Sequence, residues 1–224
     1  MSSPSTAGSD LEFVVLTIAR TAVDNERQFG DLDAVAGDGD FGSSLARGFE
    51  IVLADWDTFD RSSPSEFLKR VAIVISKRVG GTSGPLWGTA FLRASTAVKE
   101  RPDFAGLNGQ DAVAMLRAAA EGIKVRGRSD LGDKTLLDAL IPMTDAVEKQ
   151  LGSAEAGAEA SGGAAVARVA ATSARAAAEA TTPMQAMRGR QSYTGERSIG
   201  SPDPGAVAVA VMAERIADTW DARD

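Results

Sequence analysis

From residue 10 onward apolar side chains recur every three or four positions, beginning with Leu11, Val14, Val15, Ile18, Ala19 and Ala22. That period predicts an amphipathic helix, capped by Asp10 and running to about Arg27. Met1 to Ser9 is small and polar and reads as a disordered tail. A second helix is predicted from about Ser43 to Ala54. Ser63-Pro64-Ser65-Glu66 then sets a cap, a first-turn proline and a capping-box glutamate before Phe67, Val71, Ile73, Val74 and Ile75. Gly80-Gly81-Thr82-Ser83-Gly84-Pro85 interrupts the pattern, and Leu86 to Val98 reads as a fourth helix. A fifth begins after Asn108 and ends near Val125. The sixth is expected to start at Asp133, to carry Leu136, Leu137, Leu140, Ile141 and Met143 on one side, and to bend at Pro142.

Gly152 to Gly163 reads as a flexible connection, Ala164 to Ala180 as an alanine-rich seventh helix, and Asp203-Pro204-Gly205 as the start of an eighth that runs to about Trp220. Eight helical patterns without a convincing strand pair predict an all-α fold, with one domain over residues 10–224. Consecutive antiparallel helices bring alternate loops to one end. Several glycine-rich turns would then meet there and build one site from distant segments.

A run of acidic residues gives that end a chemistry. Asp33, Asp38 and Asp40 lie in Leu32-Asp33-Ala34-Val35-Ala36-Gly37-Asp38-Gly39-Asp40-Phe41-Gly42. Like charges this close repel unless a cation sits between them, and oxygen-only ligands suit a hard divalent ion such as magnesium. The plainer reading, that these aspartates cap turns and helices, stays open on spacing alone. Gly37 to Gly42 formally matches G-x-G-x-x-G, but what precedes it is helix-like and two aspartates would face the pyrophosphate, so a dinucleotide fold is rejected. An EF-hand fails too, because the bidentate glutamate position falls on Ser44, Phe49 or Ile51.

Other segments carry weaker signals. Thr82 and Ser83, between glycines at a helix start, offer hydroxyl and backbone donors to a phosphate or make an ordinary cap. Asp203-Pro204-Gly205 is either a normal helix start or part of a base-binding turn. Arg188 to Ser198 lacks helical period, holds three arginines and contains the only tyrosine; its arginines can clamp phosphate or pair with Glu196.

Composition narrows the choice. The net charge of −7 argues against a general nucleic-acid binder, which needs a basic surplus. No apolar run is long enough to span a membrane and no basic-then-apolar leader is seen, which predicts a cytoplasmic protein. Cysteine is absent, so thiolate metal sites are excluded. Histidine is absent as well, so imidazole catalysis and a phosphohistidine must come from a partner.

Taken together, residues 32–42, 80–85, Gly132-Asp133-Lys134-Thr135 and 189–205 resemble the nucleotide-binding L subunit of dihydroxyacetone kinases, over about residues 10 to 220. The resemblance implies an eight-helix antiparallel up-and-down barrel with ATP or ADP at one end and two magnesium ions bridging its phosphates to the aspartates. It implies Asp33, Asp38 and Asp40 as metal ligands, Phe41, Gly42, Ser43, Ser44, Thr82 and Ser83 along the phosphates, and Arg190 as a phosphate-stabilising residue. Gly127, Leu136, Asp203, Pro204 and Gly205 would line the adenine end.

The same resemblance implies a phosphoryl transfer to a short ketose, dihydroxyacetone or erythrulose, held covalently by a separate K-type subunit. Two further roles stay open: a form whose tightly bound ADP is re-phosphorylated by a phosphotransferase-system phosphocarrier, and a nucleotide-sensing regulatory module. One departure concerns the position after the third aspartate, where the family usually has histidine and this chain has Phe41. Side-chain donation would be lost there, whereas a backbone role would survive. Ser44 is likewise shorter than the polar residue often found at its place.

Overall fold

The computed structural model describes residues 9–153 and 162–222. The expected tail over 1–8 and the centre of the expected connection, 154–161, lie outside them. The described residues form nine α-helices and no strand. They are α1 (Asp10–Asp24), α2 (Glu26–Ala34), α3 (Phe41–Ala54), α4 (Pro64–Arg78), α5 (Ser83–Ala97), α6 (Gly109–Gly127), α7 (Leu137–Gly152), α8 (Gly163–Ala180) and α9 (Pro204–Thr219). Short 3-10 turns add Trp56–Thr58, Arg190–Ser198 and Trp220–Ala222.

Local chemistry sets most boundaries. Ser63 accepts from the Glu66 amide at 3.2 Å, as expected, although the Glu66 carboxylate turns to Lys69. Asn108 caps α6 in a full capping box with Asp111. Three expectations need correction. Ser9, not Asp10, caps α1, because Ser9 and Glu12 exchange hydrogen bonds in a capping box. The first helix also ends at Asp24, short of Arg27, and is followed by α2, which was not among the eight expected helices. Asn25 donates its side-chain amide to the Thr21 carbonyl at 2.8 Å and leaves helical geometry (φ −107°, ψ 18°), so the chain breaks there and restarts as α2. Finally, Asp133 does not start the sixth pattern. Lys134 is left-handed (φ 59°), and α7 begins only at Leu137, with Asp138 accepting from the Thr135 amide at 2.7 Å. Pro142 lies inside α7 without ending it.

Eight of the helices contact one another in a closed ring, in the order α1, α3, α4, α5, α6, α7, α8, α9 and back to α1. The additional helix, α2, rests on α3 and α9. One connected apolar cluster fills the interior and draws on every helix, with Val15, Phe29, Phe49, Phe67, Ile75 and Leu137 fully enclosed. Ala167, Ala171, Ala174 and Ala178 form a buried small-residue stripe on α8, which packs on α7 and α9. Phe49 meets Trp87 and Phe91 edge-on. No described helix is long and apolar enough to cross a membrane.

Alternate members of the ring, α3, α5, α7 and α9, begin at the same cleft, and α6 ends there. That placement gathers residues from segments far apart in sequence.

Candidate functional site

The cleft has a volume of about 430 Å³. Its acidic wall starts with Asp33 in the last turn of α2, largely buried, and continues through a loop whose Gly39 has φ +76° into Asp40 at the start of α3. One oxygen from each of Asp33, Asp38 and Asp40 lies within 4.8 Å of the other two, the only such carboxylate group among the described residues. Asp40 makes no capping hydrogen bond, so helix capping does not account for it. Burial, and then the charge of Asp33, raise its pKa above the ordinary value, while Arg47 opposes the rise. A cation among these oxygens relieves that repulsion, and the all-oxygen donor set fits a hard divalent ion.

Across the cleft, the loop before α5 turns at Gly81 (φ +62°), where a side chain would be strained and would also meet the Arg190 guanidinium at 3.1 Å. Thr82 occupies the cap position of α5 without a capping hydrogen bond, and Ser83 beside it lines the cleft; the next amide, of Gly84, donates to the Gly80 carbonyl at 3.4 Å, and Pro85 has none. Arg190 enters from the 3-10 segment and pairs with Asp38 and, at 2.8 Å, with Asp40. A guanidinium and a helix start therefore face a carboxylate cluster. Gly127, Leu136, Asp203, Pro204 and Gly205 line the same cleft. Asp203 caps α9 by accepting from the Ala206 amide at 2.7 Å, so its cap role and its place in the wall coexist. Full burial, with the nearby Asp138 charge adding to it, pushes its pKa up to about 7 against the pull of Lys134 and two backbone amides.

Most residues singled out in the sequence therefore share one cleft. Phe41 also lines it, and its ring packs on Phe29 while its amide donates to Asp33 at 3.4 Å. Phe41 thus offers no side-chain donor to the cleft, and its amide is engaged with the Asp33 carboxylate. Gly42, Ser43 and Ser44 do not line the cleft. Gly42 lets α3 approach α2, since a Cβ there would lie 1.9 Å from the Glu26 carbonyl oxygen. The Ser43 hydroxyl donates to the Asp40 carbonyl at 3.1 Å, and Ser44 is buried behind Gly80.

Sequence reasoning missed Trp87, Arg126 and Ser129, which also line the wall, as do Lys134, Arg188 and Gln191 from segments it had singled out without giving Lys134 or Gln191 a role. Gln191 Oε1 is buried there with no hydrogen-bond partner. A donor on a bound molecule would satisfy it. The three arginines of 188–197 flagged a polar surface, but nothing in the pattern separates an enclosed Lys134 from a solvated one.

Three carboxylates, a helix start and an arginine thus converge on one cleft of an all-helical ring. The DAK2 domain family matches residues 35–218, and the chain belongs to that family. It is 32% identical to the ADP-binding subunit DhaL of PEP-dependent dihydroxyacetone kinase 1 from Listeria innocua, over 88% of each chain. It is 37% identical to the corresponding Escherichia coli subunit, covering 83% of this chain and 84% of that one. An L-erythrulose 1-kinase from Mycolicibacterium smegmatis is 35% identical over 92% of this chain but only 34% of its own length. The crystal structure of the dihydroxyacetone kinase of C. freundii superposes with a TM-score of 0.72 at 22% identity, over 98% of this chain and 37% of that one. The chain thus spans about a third of these longer kinases and most of the separate subunits.

Proposed function

We propose that this chain is the nucleotide-binding subunit of a dihydroxyacetone-type kinase, placing Mg-bound ATP or ADP for phosphoryl transfer to a short ketose on a separate K-type subunit. The observation that carries this reading is the convergence of Asp33, Asp38, Asp40, the α5 start and Arg190 on one cleft. Asp33, Asp38 and Asp40 would hold two magnesium ions, which when bound neutralise charge on the polyphosphate and on the group in transfer. The hydroxyls of Thr82 and Ser83 and the Ser83 amide would bind phosphate oxygens, and Arg190 would turn from the aspartates to the phosphate. Phe41 would contribute its backbone. Gly127, Leu136 and Asp203 to Gly205 would enclose the adenine.

No histidine occurs in these 224 residues. The residue that holds the ketose and the general base would then belong to the partner, and the chain's own part is binding and orientation. Calorimetry tests this. Mg-dependent ADP binding is expected, and replacing all three aspartates by asparagine is expected to abolish its magnesium dependence. Unchanged magnesium-dependent affinity in that variant would overturn the reading.

A second reading keeps ADP as a resident cofactor that a phosphotransferase-system phosphocarrier recharges. It is favoured by relatives covered over 84–88% of their length being named ADP-binding subunits of PEP- or PTS-dependent kinases. ADP that survives purification and dialysis supports this second form; free exchange with ATP supports the first.

A further inference from the structure

We infer that Lys134 is a positioning residue: its ammonium pins together the two ends of the loop that carries Arg190 and so holds that guanidinium over the carboxylate cluster. This inference rests on the functional reading above. Lys134 lines the cleft, yet it is only 1% exposed. Its Nζ donates to the carbonyls of Met184 at 3.0 Å, Ser201 at 2.7 Å, and Ser198. An ammonium has three N–H donors. All three are taken by backbone oxygens, so Lys134 has no proton left with which to bind a phosphate, unlike a lysine that contacts its ligand.

What those bonds do follows from where the acceptors sit. Met184 precedes Arg190 and Ser198 follows it, so one buried point closes the base of the loop 184–198. Neighbouring bonds strengthen the closure: the Ala186 amide donates to Ser198 Oγ at 2.9 Å, and the Met187 amide to the Asp133 carbonyl at 3.0 Å. Within the loop the backbone is irregular, with 3-10 turns broken at Gly195 (φ 58°, ψ −128°). Helical hydrogen bonds therefore do not set the position of Arg190; attachment at the base does. The left-handed backbone of Lys134 (φ 59°), just before α7, aims its side chain across to this loop instead of along the helix.

A double-mutant cycle with MgADP, read by calorimetry beside thermal melting without nucleotide, tests the assignment. Lys134→Met is expected to weaken MgADP binding by about tenfold or more, and Arg190→Gln by a similar factor. The double variant is expected to bind within about twofold of Lys134→Met, because Arg190 is already out of place. Lys134→Arg keeps the charge, but its planar fork cannot direct three N–H groups at three converging carbonyls. It should behave as Lys134→Met does, and it carries the cycle if the methionine variant does not fold. Phe67→Leu, in the core of α4 and away from the cleft, supplies a comparable loss of melting temperature and should leave MgADP affinity unchanged. Additive losses in the cycle, wild-type affinity in both Lys134 variants, or no effect of Arg190→Gln alone would overturn the assignment. Failure of the unaltered chain to bind MgADP would instead overturn the functional reading beneath it.

Discussion

Asp203→Asn should change how stability depends on pH. In the folded chain the Asp203 carboxyl keeps its proton to about pH 7, whereas the ordinary value is 3.8. Burial is the main cause, and Asp138 adds repulsion that Lys134 only partly offsets. Between the two values the native state binds more protons than the unfolded chain. Stability from this group therefore falls as pH rises from about 4 to about 7, and is level on either side. A gap of about 3 pH units at about 1.4 kcal/mol each gives a ceiling of about 4 kcal/mol, since the interior relaxes around a new charge. Asparagine cannot ionise and is as good a helix cap as aspartate, so the Ala206 bond survives. Urea denaturation followed by circular dichroism at about pH 4, 6 and 8 gives the comparison. The variant should gain on the unaltered protein as pH rises, by up to that ceiling at the top of the range. A difference between the two proteins that stays constant across these pH values would refute the reasoning.

Three further outcomes can be read by chemical denaturation. Gly42→Ala drives a methyl to 1.9 Å from the Glu26 carbonyl and 2.6 Å from the Gly30 amide, backbone atoms that cannot swing aside; it should cost about 1–3 kcal/mol. It should also shift α2 and with it Asp33, so MgADP binding measured by calorimetry should weaken as well. Phe49→Ala empties a site that is 0% exposed between Trp87 and Phe91 and should cost about 3–5 kcal/mol. Ser63→Ala removes the α4 cap and should cost about 1 kcal/mol with no effect on nucleotide affinity.

Apolar spacing and cap residues made the all-α class, the eight ring helices and the starts at Ser63 and Asn108 legible, because these features arise within one or two helical turns. The acidic cluster was legible for the same reason, its three members falling within eight residues. The break at Asn25 was not, since residues 24–28 are all polar and carry no apolar period to place a helix end, and the side-chain bond from Asn25 to Thr21 appears only in the fold. Nor could spacing separate Ser83, which faces the cleft, from Ser44, which lies behind Gly80.

The amino-acid sequence by itself determined which residue types were available: carboxylates for a hard cation, arginine and helix starts for phosphate, and no imidazole at all. Only the tertiary structure decided which of them meet. Lys134 finds its three acceptors 50, 64 and 67 residues away, and Arg190 reaches carboxylates from the opposite end of the chain. Periodicity reports the face on which a side chain lies, but its partner across the cleft depends on how the ring of helices closes.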